Sequence, residues 1–130
     1  MLEEGIVGNG EVVVTEELTA KALGSGLLPV YATPAMIALM ENTAYMSVAD
    51  DLDEGYGTVG IRMNVNHVSA TPIGMKVTCE TKLLTIDERR LVFEVRAYDE
   101  VGLIGEGTHE RFIINNEKFL KKTESKNGEK

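Results

Sequence analysis

Paired cysteines, clustered metal ligands, long apolar runs and a surplus of basic residues are all missing from this chain of 130 residues. Each absence removes a class of function. The single cysteine, Cys79, excludes an intrachain disulfide and fits a reducing compartment. It lies in register with Val77 and Leu83, which makes it a small core residue rather than a reactive thiol. The chain has no His and Cys at metal-ligand spacing, so no metal is expected. Asp50, Asp51, Asp53 and Glu54 fail the calcium-loop pattern at Leu52 and again at Ile61, and read as a solvated turn. No apolar stretch approaches a membrane span, and the short acidic start from Met1 to Gly5 lacks the basic end and apolar run of a signal peptide. A cytoplasmic protein with no membrane partner is expected. The formal net charge of −8 argues against a nucleic-acid surface, because phosphate binding needs a basic face. A phosphorylated small ligand would need a local basic site drawn from Arg62, Arg89, Arg90, Arg111 or Lys118.

What is present is one domain's worth of alternating and helical pattern over residues 1–120, followed by a charged tail at 121–130 that reads as disordered. Ile6 to Val14 reads as a strand broken near Gly8-Asn9-Gly10. Thr15-Glu16-Glu17 then looks like the cap and acidic first turn of a short helix, stopped by Gly24-Ser25-Gly26. Thr33 stands as N-cap with Pro34 at the first helical position, and the main helix ends near Asp50-Asp51. Beyond it the period becomes two. Thr58 to Ser69, Met75 to Ile86, Leu91 to Val101 and Leu103 to Asn115 read as strands joined by short turns. Leu91, Phe93, Val95 and Ala97 share one face. A long helix and a run of such strands imply an α+β fold, an antiparallel sheet with a helix on one face.

The main helix carries the most informative residue. Met36, Ile37, Leu39, Met40, Ala44, Tyr45, Met46 and Val48 make it apolar almost all round, yet Glu41 sits in its middle. Such a helix is expected to be buried, with a second copy of the chain covering what one sheet face leaves open. A carboxylate buried there costs free energy unless it is hydrogen-bonded. His67, one of two histidines, lies in the strand segment Asn64-Val65-Asn66-His67-Val68. Taken alone, a strand histidine is more often structural, His109 carries the same reading, Arg111 pairs readily with an acid across a sheet, and Thr33 is explained as a cap. Together, Thr33, Glu41 and His67 supply a hydroxyl, a carboxylate and an imidazole, the parts of acyl-transfer chemistry. Eight residues of helix hold Thr33 and Glu41 roughly 12 Å apart. An antiparallel copy of the helix in a two-fold dimer would bring one chain's threonine to the other's glutamate. Gly55-Tyr56-Gly57-Thr58-Val59-Gly60 matches the dinucleotide fingerprint literally but precedes a strand, so it is not a nucleotide loop. Gly60 instead marks a place where a backbone or ligand approaches closely.

Three ordered segments resemble a known family. Val30-Tyr31-Ala32-Thr33 leading into Leu39-Met40-Glu41, then Val65-Asn66-His67-Val68-Ser69-Ala70-Thr71-Pro72-Ile73-Gly74, then Gly105-Glu106-Gly107-Thr108-His109-Glu110-Arg111, resemble the fluoroacetyl-CoA thioesterase family of hotdog-fold proteins from about Val12 to Phe119. The resemblance implies a hotdog fold, an antiparallel sheet wrapped around a central helix, in a homodimer or higher homo-oligomer with acyl-CoA sites at the subunit interface. It matches Thr33, Glu41 and His67 to the family's catalytic residues and Gly60 and Arg111 to its substrate pocket, with no cofactor beyond the coenzyme A of the substrate. The fluoroacetyl-selective pattern has phenylalanines before the catalytic threonine, where this chain has Leu23-Gly24-Ser25-Gly26-Leu27-Leu28-Pro29. That departure implies a broader or different acyl group. The expected activity is acyl-CoA thioester hydrolysis, with backbone N–H groups near the helix start or Gly60 holding the oxyanion. The rivals are a hotdog acyl-CoA hydratase or dehydratase and a non-catalytic acyl-CoA sensor.

Overall fold

The computed structural model describes residues 2–128. Strand β1 (Val7–Val13) is followed by a 3₁₀ turn (Glu16–Leu18), a one-turn helix α1 (Ala20–Leu23) and the long helix α2 (Thr33–Ala49). Strands β2 (Tyr56–His67), β3 (Lys76–Asp87), β4 (Arg90–Tyr98) and β5 (Leu103–Asn115) come next, and helix α3 (Asn116–Glu124) runs into a last 3₁₀ turn (Ser125–Asn127). All strand pairs are antiparallel, in the order β1-β3-β4-β5-β2. This is the expected α+β architecture, with β1 and β2 as the two edges.

Periodicity explains the core. Met36, Met40, Ala44 and Val48 recur every four residues of α2, forming one stripe that packs on the sheet. They meet the alternate residues Val77, Cys79 and Leu83 of β3 and Leu91, Phe93, Val95 and Ala97 of β4, all buried. Truncating Phe93, which is fully buried, would cost about 3–5 kcal/mol through the cavity it leaves. Cys79 is buried and unpaired, and burial pushes its thiol up to about 11.

Helix α2 is not covered all round in the single chain. Its outer face leaves Thr33, Pro34, Ala38, Asn42, Tyr45, Met46 and Ala49 exposed, Met46 at 59 %. The reason is geometric: one sheet covers one stripe of a helix, and position 41 falls at the margin of that stripe.

Local chemistry accounts for the other differences from expectation. Strand β1 is not broken at its glycines, pairing continuously from Val7 with Lys82 to Val13 with Lys76. At Gly8 a Cβ would stand 2.9 Å from the Thr43 carbonyl and 2.8 Å from Ser47 Cβ, so the missing side chain lets α2 lie close on this strand. The short helix is capped by Thr19, whose hydroxyl accepts from Ala22 N at 3.1 Å, and not by Thr15. Strand β4 stops at Tyr98 because Asp99 Oδ1 accepts from Val101 N and Gly102 N and turns the chain. The expected disordered tail is helical as far as it is described: Asn115 accepts from Lys118 N at 3.0 Å, capping α3, and residues 121–128 continue that helix and its final turn. Glu129 and Lys130 lie outside the described residues.

Candidate active site

The start of α2 and the end of β2 form the first polar group. Pro34 at the second helical position fixes the entry of α2, and Ala32 takes the cap position. Thr33 therefore makes no capping bond. Its hydroxyl instead lies 2.8 Å from His67 Nδ1, across a connection that closes 34 residues. The pair sits on the wall of an open cavity of about 320 Å³ lined also by Ala20, Ser25, Val30 and Ser69. Partial burial lowers the His67 pKa below 6.5, an effect that the Ser69 backbone partly offsets. Among the described residues, His67 Nε2 is buried with no hydrogen-bond partner of good geometry. This half of the site is a hydroxyl and a neutral imidazole in contact beside open space.

The second group forms where α2 crosses β2 and β5. Gly60 pairs with Arg111 and Arg62 with Glu110, leaving Ile61 as an extra residue, a bulge that bends β2 beside the helix. A Cβ on Gly60 would stand 2.6 Å from Glu41 Oε2, so only glycine leaves room for that carboxylate. Arg111, 6 % exposed, reaches Glu41 Oε2 with Nη1 at 3.8 Å. Its Nε donates to Thr58 Oγ1 at 2.8 Å, its Nη2 to the Thr58 carbonyl at 3.0 Å and its Nη1 to His109 Nε2 at 3.1 Å. The Tyr45 ring lies over the guanidinium at 5.8 Å. Burial lowers the Arg111 pKa, while Glu41 and Tyr45 act to raise it.

Glu41 itself is 43 % exposed in the single chain, so the expected desolvated carboxylate is not found there. The ion pair is worth at most about 1 kcal/mol of stability for that reason. What it sets is direction, since the carboxylate is turned toward a fixed cation.

The chain thus brings Thr33 to His67 and Glu41 to Gly60 and Arg111, and it does not bring the two groups together. His67 and Gly60 are seven residues apart, about 23 Å along β2. Thr58, which had no role in the sequence reading, and His109, which was read as structural, both belong to the second group. The available signal was the spacing of His109 and Arg111, two apart on one strand and so on one face. Among the described residues, no group of three or more His, Cys, Asp or Glu is placed to hold a metal ion.

Comparison with known proteins places the chain in a family. Residues 14–117 match the family model described as fluoroacetyl-CoA-specific thioesterase. The chain is 42 % identical over 97 residues to the fluoroacetyl-CoA thioesterase of Streptantibioticus cattleyicolor, covering 75 % of this chain and 70 % of the relative. A solved structure of the fluoroacetyl-CoA thioesterase FlK superposes with a TM-score of 0.92 at 35 % identity, over 97 % of this chain and 98 % of that one. A thioesterase superfamily member from Thermus thermophilus is 31 % identical with a TM-score of 0.86, over 99 % and 98 % of the two chains. A hot-dog-like protein from Thermanaerovibrio acidaminovorans, 22 % identical with a TM-score of 0.89 over 99 % and 96 %, shares the fold.

Proposed function

We propose, since this chain belongs to the fluoroacetyl-CoA-specific thioesterase family, that it hydrolyses small or medium acyl-CoA thioesters at a site completed by two chains. The observation that carries this reading is the division of the polar residues into two halves, Thr33 with His67 and Glu41 with Gly60 and Arg111, neither sufficient alone. A two-fold dimer that sets two α2 helices antiparallel would join one chain's Glu41 to the partner's Thr33 and His67. The exposed outer face of α2, with Tyr45 and Met46, and the open edge of β2 support a partner at that place. Covering that face would also remove Glu41 from water.

In the completed site Glu41 attacks the thioester carbonyl or activates a water against it, Thr33 orients the reacting groups, and His67 assists proton transfer to the departing thiolate. Backbone N–H groups at the start of α2 or at Gly60 hold the developing oxyanion, and Gly60 and Arg111 border the substrate. A free, buried Cys79 fits the reducing cytoplasm in which such a substrate is found. The segment before Thr33 presents Leu27, 89 % exposed, and Leu28, with no aromatic ring, so a dedicated site for a fluorinated group is not part of the reading.

An acyl-CoA panel assayed with a thiol reagent tests this. Thiol release is expected, with a kcat/KM for fluoroacetyl-CoA no better than for unfluorinated acyl-CoAs of similar or greater length. Double-bond hydration without thiol release would replace hydrolysis by a hydratase, and binding without either reaction would replace it by a sensor. A preference of several orders of magnitude for fluoroacetyl over acetyl would overturn the specificity.

A further inference from the structure

His109 stands behind the half-site that holds Glu41, and its protonation state is dictated by its neighbours. Nδ1 lies 2.8 Å from the Arg62 carbonyl, which can only accept, so Nδ1 carries the proton. Nε2 faces Arg111 Nη1 at 3.1 Å, which can only donate, so Nε2 is the bare acceptor. The ring is 1 % exposed and stacked beside Phe93, with centroids 6.3 Å apart, and cannot turn without disturbing the core. A proton on Nε2 would face a guanidinium N–H directly, so the neutral tautomer is built in.

That lock bears on Glu41 through Arg111. The same Nη1 that donates to His109 is the nitrogen facing Glu41 Oε2, and Thr58 holds the other edge of the guanidinium through Nε and Nη2. Without the imidazole acceptor a buried guanidinium N–H is left unpartnered, and the side chain relieves this by turning toward Glu41 or solvent. Either movement changes where the carboxylate points. We propose that His109 is a positioning residue for thioester hydrolysis, a fixed neutral imidazole that aims Arg111 at Glu41.

The proposal rests on the hydrolytic reading, and its tests separate the two. His109→Asn can keep the donor to Arg62 but has no acceptor at the Nε2 position, whereas His109→Gln can place an amide oxygen there. Loss of a hydrogen bond to a charged group predicts about 10–100-fold lower kcat in His109→Asn, with KM little changed and most of kcat regained in His109→Gln. Equal loss in both variants, or a better His109→Asn, would assign His109 to packing and to the Arg62 carbonyl alone. A change confined to KM would remove the link to Glu41. Side-chain N–H exchange of Arg111, followed by NMR, gives an answer that needs no turnover: slow in wild type and His109→Gln, fast in His109→Asn. If wild type releases no thiol from any acyl-CoA, the hydrolytic reading fails while this exchange still decides whether His109 holds Arg111. Imidazole ¹⁵N shifts of wild-type His109 must show a protonated Nδ1 and a bare Nε2, and the reverse pattern would overturn the proposal even if no variant folds.

Discussion

The two halves of the site are built on opposite principles. Around Arg111 the donors and acceptors are nearly saturated: Thr58 is used twice, His109 once, and Tyr45 covers the face. Around Thr33 and His67, among the described residues, there are a hydrogen bond between the two, an imidazole nitrogen with no well-aligned partner and an open cavity. A charge that must keep one direction needs a rigid frame, because a misdirected buried guanidinium is costly. Under the proposed shared site, a hydroxyl and imidazole that await a substrate and a second chain need unfilled hydrogen-bonding capacity. The difference separates what the single chain completes from what it leaves open.

The sharpest way to break this comparison is to disable one half in each of two populations. Glu41→Gln and Thr33→Ala homodimers are each expected to lose activity, Glu41→Gln by about 10²–10⁴-fold, the usual contribution of a positioned acid or base. Mixed under conditions of demonstrated subunit exchange, they should regain thiol release, since some heterodimers carry one intact pair. Mixed dimers that form and stay inactive would end the shared-site proposal.

A smaller effect is expected from crowding the rigid half. Gly60→Ala places a methyl where Glu41 Oε2 now stands, 2.6 Å from the ideal Cβ position, and the carboxylate must move. A displacement near 1 Å predicts about 10²-fold loss in kcat/KM, with a modest fall in melting temperature because the methyl would also stand 3.3 Å from the buried Arg111 Nη1 and His109 Cε1. Retained activity would show that the fit between Gly60 and Glu41 is not used.

The smallest effect is on stability and reads both halves together. His67 and His109 each have a pKa lowered below the ordinary 6.5, chiefly by burial. The unfolded chain then binds more protons than the folded one as pH falls below that value, so stability declines through the folded-state values. Above it neither histidine contributes a slope. Thermal unfolding from pH 7.5 to pH 5 should therefore show a falling midpoint in wild type and a shallower fall in His109→Gln. Identical slopes would mean that His109 does not titrate differently on folding.

Some of this was legible in the sequence and some was not, for physical reasons. The stripe Met36, Met40, Ala44 and Val48, the alternation through Leu91 and Ala97, and the burial of Cys79 all follow from periods of about four and two, which a sequence displays directly. Glu41 stood out because it breaks an apolar helix and His67 because the chain has only two histidines, whereas Thr33 fitted its place and gained interest only beside them. Which of them meet is a matter of register between distant strands, and no local signal carries the bulge at Ile61. Thr58 was passed over because its partner Arg111 lies 53 residues away, and His109 was read as structural because nothing local shows that Arg111, two residues on, bonds to it. Thr33 read as a cap from its place before a proline, until Ala32 was found in that position. Helix α3 was missed because it is short and polar, leaving Phe119 and Leu120 substantially exposed, so nothing in its pattern marks a buried stripe.

The bulge at Ile61 has a further consequence for colloidal behaviour. A long strand at the rim of a sheet offers a template on which foreign strands can add without limit, the first step toward fibrous deposits. In β2 the ladder runs regularly over Tyr56 to Gly60, slips by one residue, and resumes from Arg62 to His67. A straight intruding strand can match one run or the other but falls out of phase across the slip, which caps its grip at about half the strand. The bulge that bends β2 beside α2 thus also limits how far an unrelated strand could extend along this rim.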